Sequence, residues 1–276
     1  MLISSPPSRA NLQFRRGFSL VEIAVVLVII AILATAIGVP LASQLDQQKT
    51  KDTEKQLELI KEAIYGFAMA NGRLPCPASA TSNGLEAFAS GGPADGDCSS
   101  TSASGWVPAV TLGLSPVDSS GYFVDAWGLT ANRVRYAVSK KVNYTTGAPT
   151  GCPATLTYPL TKTDGIKGAT MGCLASTSAT VNLLSVRSTT VSDTAKGCTP
   201  ADLSVKAPFV VFSLGKNAST GGTGADEAQN VATDATTFVS RAPTASDNCA
   251  GEFDDIVTWG SLNTLFARMV QAGKLP

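Results

Sequence analysis

The chain has no histidine among its 276 residues. That excludes Ser-His-Asp and Cys-His catalysis and every zinc site built on imidazole. It has no CxxC pair, so a thiolate metal cluster or a thioredoxin-type redox centre does not fit either. Charge of one sign is missing as well: 21 basic residues balance 21 acidic ones. Beyond the N-terminal segment there is no basic run, whereas a nucleic-acid binder needs a basic stripe, so no nucleic-acid partner is expected. Only three tryptophans occur, two of them in packing motifs, which leaves little for an aromatic sugar-binding platform. An enzyme built on paired carboxylates or a Ser-Lys pair stays open, but no spacing points to one. No internal repeat is visible.

What is present begins at Arg15-Arg16-Gly17-Phe18. Two positive charges end there, a glycine follows, and an apolar run starts that holds a single acid, Glu22. A charged side chain inside hydrocarbon costs roughly 2.5–3.5 kcal/mol on insertion scales, so Glu22 needs a partner. Cleavage between Gly17 and Phe18 would create an α-amino group four residues before it. That amine, on a neighbouring copy, is the natural counter-charge. Two other readings compete. One is a secretory signal peptide cut at Ala34-Thr35-Ala36. The other is an uncleaved anchor, since Ile23 to Ala42 is long enough for the about 20 residues that a bilayer requires. Both leave Glu22 unexplained.

This segment resembles the class III signal of type IV pilins and type II secretion pseudopilins, in which a prepilin peptidase cuts after the glycine and methylates the new N-terminus. The matching residues are Gly17, Phe18 and Glu22. The resemblance implies an α+β, pilin-like fold: a long N-terminal transmembrane helix packed on an antiparallel β-sheet head. The expected divisions are a leader at 1–17, a transmembrane half-helix at 18–42, a periplasmic half-helix at 43–71 and a disulfide-bonded head at 72–276. The arginines orient the chain in the bacterial inner membrane as a single pass, with the C-terminal bulk periplasmic.

The helix should not stop at the membrane face. From Leu41 to Ala70 there is no proline, and Gly66 is the only glycine. Leu57, Ile60, Ile64 and Phe67 recur at spacings of three and four, while Lys51, Asp52, Glu54, Lys55, Glu58, Lys61 and Glu62 fill the other face. Asn71-Gly72 gives a stop, with Pro75 beyond it. Gly38 and Pro40 mark an expected kink or weak point. After residue 72, strands are expected at Trp106–Leu112, Arg133–Val138, Thr180–Val186 and Phe209–Leu214. A C-terminal helix should bury Leu262, Leu265, Phe266, Met269 and Val270, capped by Ser261 and Gly273.

Six cysteines, Cys76, Cys98, Cys152, Cys173, Cys198 and Cys249, all lie beyond the apolar run. An even number on the exported side points to disulfides. Fifteen pairings are possible and the sequence does not choose among them. Sequential pairing, 76–98, 152–173 and 198–249, is the working assignment.

Two head motifs carry a resemblance to the same family. Asp125-Ala126-Trp127-Gly128 followed by Arg135-Tyr136 is similar to the pseudopilin Asp-Pro-Trp-Gly…Tyr turn, with alanine for proline. Trp127 reads as packing and Gly128 as a turn. Ser213-Leu214-Gly215-Lys216-Asn217, the run Gly221-Gly222-Thr223-Gly224-Ala225-Asp226, and then Asp254-Asp255-Ile256-Val257-Thr258-Trp259 resemble the calcium loop of the major pseudopilin. Asn217 replaces an expected aspartate, and an insertion carrying Cys249 precedes Asp254. The resemblance implies a Ca²⁺ site with a carbonyl from Leu214, an amide oxygen from Asn217 and carboxylates from Asp226, Asp254 and Asp255; Glu227 is also near in sequence. Flexible, all-oxygen ligation suits calcium. The competing reading is a solvated Gly-rich connection.

The expectation is a minor pilin or pseudopilin, a structural subunit and not an enzyme. Its partners would be other subunits, prepilin peptidase, inner-membrane lipid, and exported substrate or a surface ligand. The alternatives are a pilus-borne adhesin or glycan-binding module and a membrane-tethered hydrolase.

Overall fold

The structure is a computed structural model. It describes residues 17–275 apart from 100–103, 140, 145–147, 149, 154, 176–178, 182, 221, 223 and 233–234, and no side chains at 34–42, 104, 141–144, 155, 175 and 179–181. Residues 1–16 of the expected leader, with Arg15 and Arg16, lie outside the described residues, and so do the side chains at the expected weak point around Pro40. The chain divides into two compact units, 1–47 and 48–276.

Helix α1 covers Leu20–Asn71. Ser19 caps its start, its Oγ accepting the Glu22 backbone N–H at 3.2 Å. This satisfies one of the free donors of the first turn. Gly72 ends the helix at φ +71°, a left-handed conformation that glycine adopts without a Cβ penalty. In the second unit α1 buries Thr53, Leu57, Ile60, Ile64 and Ala68, a stripe at helical spacing. Each fully buried Leu or Ile contributes about 1.5–3 kcal/mol. Phe67 lies at the rim, half-buried, because Ala68 completes the stripe; the Arg73 guanidinium sits 5.0 Å over its ring.

The head elements follow as β1 (Ser104–Trp106), α2 (Ala109–Leu112), β2 (Arg135–Val138), β3 (Lys141–Tyr144), β4 (Thr155–Thr157), α3 (Gly165–Ala169), α4 (Met171–Ala175), β5 (Ala179–Val181), β6 (Leu184–Arg187), β7 (Asp202–Ala207), β8 (Phe209–Ser213), α5 (Ala225–Asn230), β9 (Thr237–Val239), β10 (Ile256–Trp259) and α6 (Leu262–Gln271). The main sheet has the order β1-β2-β8-β10 and is antiparallel throughout. One face, with Tyr136, Val138, Phe209 and Val211, packs on the α1 stripe and on α6. The other, with Ala137, Val210 and Phe212, forms a second core with Leu184, Val186, Ala207 and Phe238. That core belongs to a second sheet, β7-β6-β9, in which β6 and β9 run parallel. A third sheet, β4-β3-β5, is antiparallel. The architecture is α+β and pilin-like: a long N-terminal helix whose second half lies against an antiparallel sheet.

Several expected elements come out differently. Trp106–Leu112 is not one strand. Pro108 interrupts the pairing, since it lacks an N–H donor, and Ala109–Leu112 closes as one helical turn with Gly113 at φ +66°. Thr180–Val186 splits into β5 and β6, which belong to different sheets. On α6, Leu262, Leu265, Phe266 and Met269 are buried, but Val270 is 50% exposed, being one position past the buried stripe. Ser261 holds the N-cap position without a side-chain cap; its backbone N–H goes to Tyr65 Oη at 2.9 Å.

Disulfides join Cys76 to Cys98, Cys152 to Cys173 and Cys198 to Cys249, with Cα separations of 5.3, 5.6 and 6.2 Å. The first two pin loops beside the first core. The third ties the loop after β6 to the segment before β10.

Candidate functional site

Two places concentrate residues that the fold alone does not require. The first is the start of α1. Among the described residues, Gly17 has no neighbour within 4 Å of where a Cβ would stand. Nothing among the described residues demands glycine there. The large apolar side chains from Phe18 to Leu33 are between 49% and 85% exposed. They cover every side of the helix, as in a segment buried by something other than its own head. Glu22 stands among them in the first turn. At that position an acid also complements the partial positive charge of the helix N-terminus, and Ser19-x-x-Glu22 has the spacing of a capping box. Among the described residues no helix is long and apolar enough to cross a membrane. The expected transmembrane stretch, 18–42, includes 34–42, which lie outside the described side chains.

The second place is where the end of β8, the start of α5 and the approach to β10 converge. Glu227, Asp254 and Asp255 each bring one carboxylate oxygen within 4.8 Å of the others. Glu227 is 2% exposed and Asp255 4%. Glu227 Oε1 accepts the Asn217 side-chain amide and the Asp254 backbone N–H, both at 3.0 Å. Its Oε2 accepts the Gly224 N–H at 3.3 Å. Asp254 Oδ2 accepts the Asn217 backbone N–H at 3.0 Å, while Asp254 Oδ1 is buried without a partner. Asp255 Oδ2 accepts Asn230 Nδ2 at 2.7 Å.

Glycine is required around this cluster. Gly215 and Gly222 both have φ +64°, and a Cβ on either would strike Asp254 or Glu227. Burial first, then the neighbouring carboxylates, push Asp255 up to about 8. Burial and Glu227 push Asp254 up to about 6, against the backbone N–H of Asn217. The arrangement holds negative charge that the protein itself does not neutralise, so it can take protons or a hard cation. The donors are all oxygen, an orphaned carboxylate oxygen points to an unmet ligand, and the backbone cradles the group closely. These features fit calcium.

The structure sorts the five expected ligands. It brings Asn217, Asp254 and Asp255 together. The ligand expected from Leu214 is its backbone carbonyl, and its side chain packs into the second core. Asp226 is turned away: it is fully buried, pairs with Arg241 Nε at 3.0 Å, and accepts the Thr190 N–H and Oγ1–H at 2.9 Å. Its place in the cluster is taken by Glu227. Adjacent positions on a helix point about 100° apart, so Asp226 meets Arg241 and Thr190 while Glu227 meets Asn217, Gly224 and Asp254. Gly221 and Thr223 of the glycine run lie outside the described residues.

The Asp125 turn also proves to be a structural junction. Asp125 is 3% exposed. Its Oδ1 accepts the Trp127 N–H at 2.9 Å, and its Oδ2 accepts Ser213 Oγ–H at 2.5 Å and Asn132 Nδ2 at 3.1 Å. Gly128 takes φ +72°. The turn thereby locks to the end of β8, directly before Gly215.

A pilin-like α+β head behind a helix whose first turns are apolar on all sides defines the class. Residues 13–38 match the family described as the prokaryotic N-terminal methylation motif, so the chain carries the type IV pilin and pseudopilin signal. No curated protein and no solved structure matches the chain. The motif points to a structural role and to assembly with other pilin-type subunits.

Proposed function

We propose that this protein is a minor subunit of a type IV pilus or of a type II secretion filament. Prepilin peptidase cuts after Gly17 and methylates the amine of Phe18. The apolar start of α1 anchors the subunit in the inner membrane and then packs against the same segment of its neighbours. The head, placed on the periplasmic side, meets other subunits, exported substrate or a surface. The observation that carries this reading is the apolar, fully presented stretch from Phe18 to Leu33, with one acid at Glu22 behind a glycine that the fold does not need.

Glu22 has two possible roles, and they separate by chemistry. A capping-box residue works as Glu or Gln, whereas a counter-ion for a neighbour's amine must be charged. Both Glu22→Gln and Glu22→Ala should insert in the membrane at least as well as the wild type, because a costly charge is gone. Both should lose incorporation into filaments. Normal incorporation of Glu22→Gln would reduce Glu22 to a helix cap.

We further propose a calcium site at the acid cluster, with carboxylates from Glu227, Asp254 and Asp255 and the side chain of Asn217 beside them. Bound calcium would supply two positive charges against the three acids and fix the insertion before β10 against α5. Affinity should fall in the weak extracellular range, about 10⁻⁴–10⁻³ M.

A further inference from the structure

Two arginines, two residues apart, stack on one aromatic pair at the edge of the main sheet. The Arg133 guanidinium lies 4.2 Å over the Tyr122 ring. Tyr122 meets Trp106 edge-on at 5.5 Å. Arg135 lies 4.9 Å over Trp106. Their electrostatic situations are opposite. Arg133 is neutralised by Asp118, with Nη2 at 2.6 Å and Nε at 2.7 Å from Oδ2. Arg135 has no carboxylate and no hydrogen-bond acceptor among the described residues. Its Nε is buried without a partner, and its neighbours across the sheet are Trp106 and Phe212. Burial alone lowers its pKa from the ordinary guanidinium value, and no nearby acid opposes that.

A half-buried cation with no counter-charge destabilises the chain that carries it. An apolar side chain of the same length at 135 would fill the space without that cost. Local conflicts of this kind mark functional positions. The planar guanidinium fork matches a carboxylate, and stacking on an indole fixes the plane of the fork before anything arrives. We infer that Arg135, held on Trp106, receives a carboxylate from outside this chain, supplied by a small organic acid or by an acidic side chain of a second copy. The inference does not depend on the filament reading, since it concerns a charge within the head.

The test uses the full chain in detergent, with Arg135→Met, which keeps the stem and removes the charge, and Arg135→Lys, which keeps the charge and removes the fork. Arg135→Met should melt about 2–6 °C above the wild type; a lower melting temperature would show that the charge is already compensated and overturn the idea. The wild type should gain more stability from sodium acetate than from sodium chloride at equal ionic strength. Both variants should lose that excess. Equal acetate-over-chloride gains in the wild type and in Arg135→Lys would also overturn the idea. Sedimentation then identifies the source. Self-association of the wild type that acetate competes away and Arg135→Lys lacks assigns the carboxylate to a second copy. An acetate response without such association assigns it to a small acid.

Discussion

The two described stretches of α1 are both rich in apolar side chains and treat them in opposite ways. From Leu20 to Leu33 they occupy all sides of the helix and are exposed. From Thr53 to Ala68 they form a buried stripe against the main sheet, with Leu59 the exposed exception at 52%, and charges fill most of the rest. The second stretch buries its apolar side chains within its own unit, and those of the first are exposed. Apolar surface of that extent on a helix requires lipid or other helices. One stretch therefore holds the head together, and the other holds the molecule to something else.

The sharpest way to break this contrast is a matched pair of truncations. Ile60→Ala should destabilise the head by about 2–5 kcal/mol, the usual cost of a cavity at a fully buried position. Ile29→Ala, at a position 51% exposed, should leave the melting temperature of the head unchanged. Equal effects from both would mean that the first stretch also packs on the head.

The head relies on a second device that the helix start lacks. Removing the Cys76–Cys98 bridge, which spans 22 residues, should cost about 3 kcal/mol by loop-closure reasoning. Thiol labelling of the native, oxidised protein should find no reactive cysteine. Labelling at several positions would contradict the bridged head.

A separate effect should come from the acid cluster. The Asp255 carboxyl sits at about 8 in the folded head and at about 3.9 once unfolded. The folded state keeps a proton that the unfolded chain releases, so stability declines as pH rises from about 4 to about 8. Asp254, raised to about 6, acts in the same sense over the lower part of that range. In chelator, the melting temperature should therefore fall between pH 5 and pH 8. Calcium needs the carboxylates deprotonated, so millimolar calcium should restore about 0.4–1.4 kcal/mol at pH 8 and little at pH 5. Glu227→Gln should abolish the calcium response. Asp226→Asn should lower the melting temperature at every calcium level and leave the response intact. A response lost with Asp226 and kept without Glu227 would contradict the geometry.

That pair of acids shows where the sequence is legible and where it is not. The α1 stripe could be read because Leu57 to Phe67 keep helical spacing over about three turns while charges take the other positions. The main strands Arg133–Val138 and Phe209–Leu214 could be read because each is apolar and β-branched or alternating over five or six residues. β4 and β9 could not, since three residues carry no period. β10 was hidden in a different way: Ile256 to Trp259 follow two acids and were visible only as part of a loop motif. The choice of Glu227 over Asp226 depends on Arg241, which lies after β9 and outside any local pattern. Arg135 belongs to the same category. Its alternation fits a strand, and only the three-dimensional placing of Asp118 shows that one arginine is paired and its near neighbour is not.

The central claim, that the first stretch of α1 is prepared for partners outside the chain, rests on processing at Gly17. Intact mass of the protein extracted from the membrane measures this directly. The account predicts a chain that begins at N-methylated Phe18, and retention of the full leader when Gly17 is replaced by a bulky residue. A mature N-terminus at Leu41 or beyond would show that the apolar run is a secretory signal, and an uncut chain beginning at Met1 in cells that hold an active prepilin peptidase would show that it is a plain anchor.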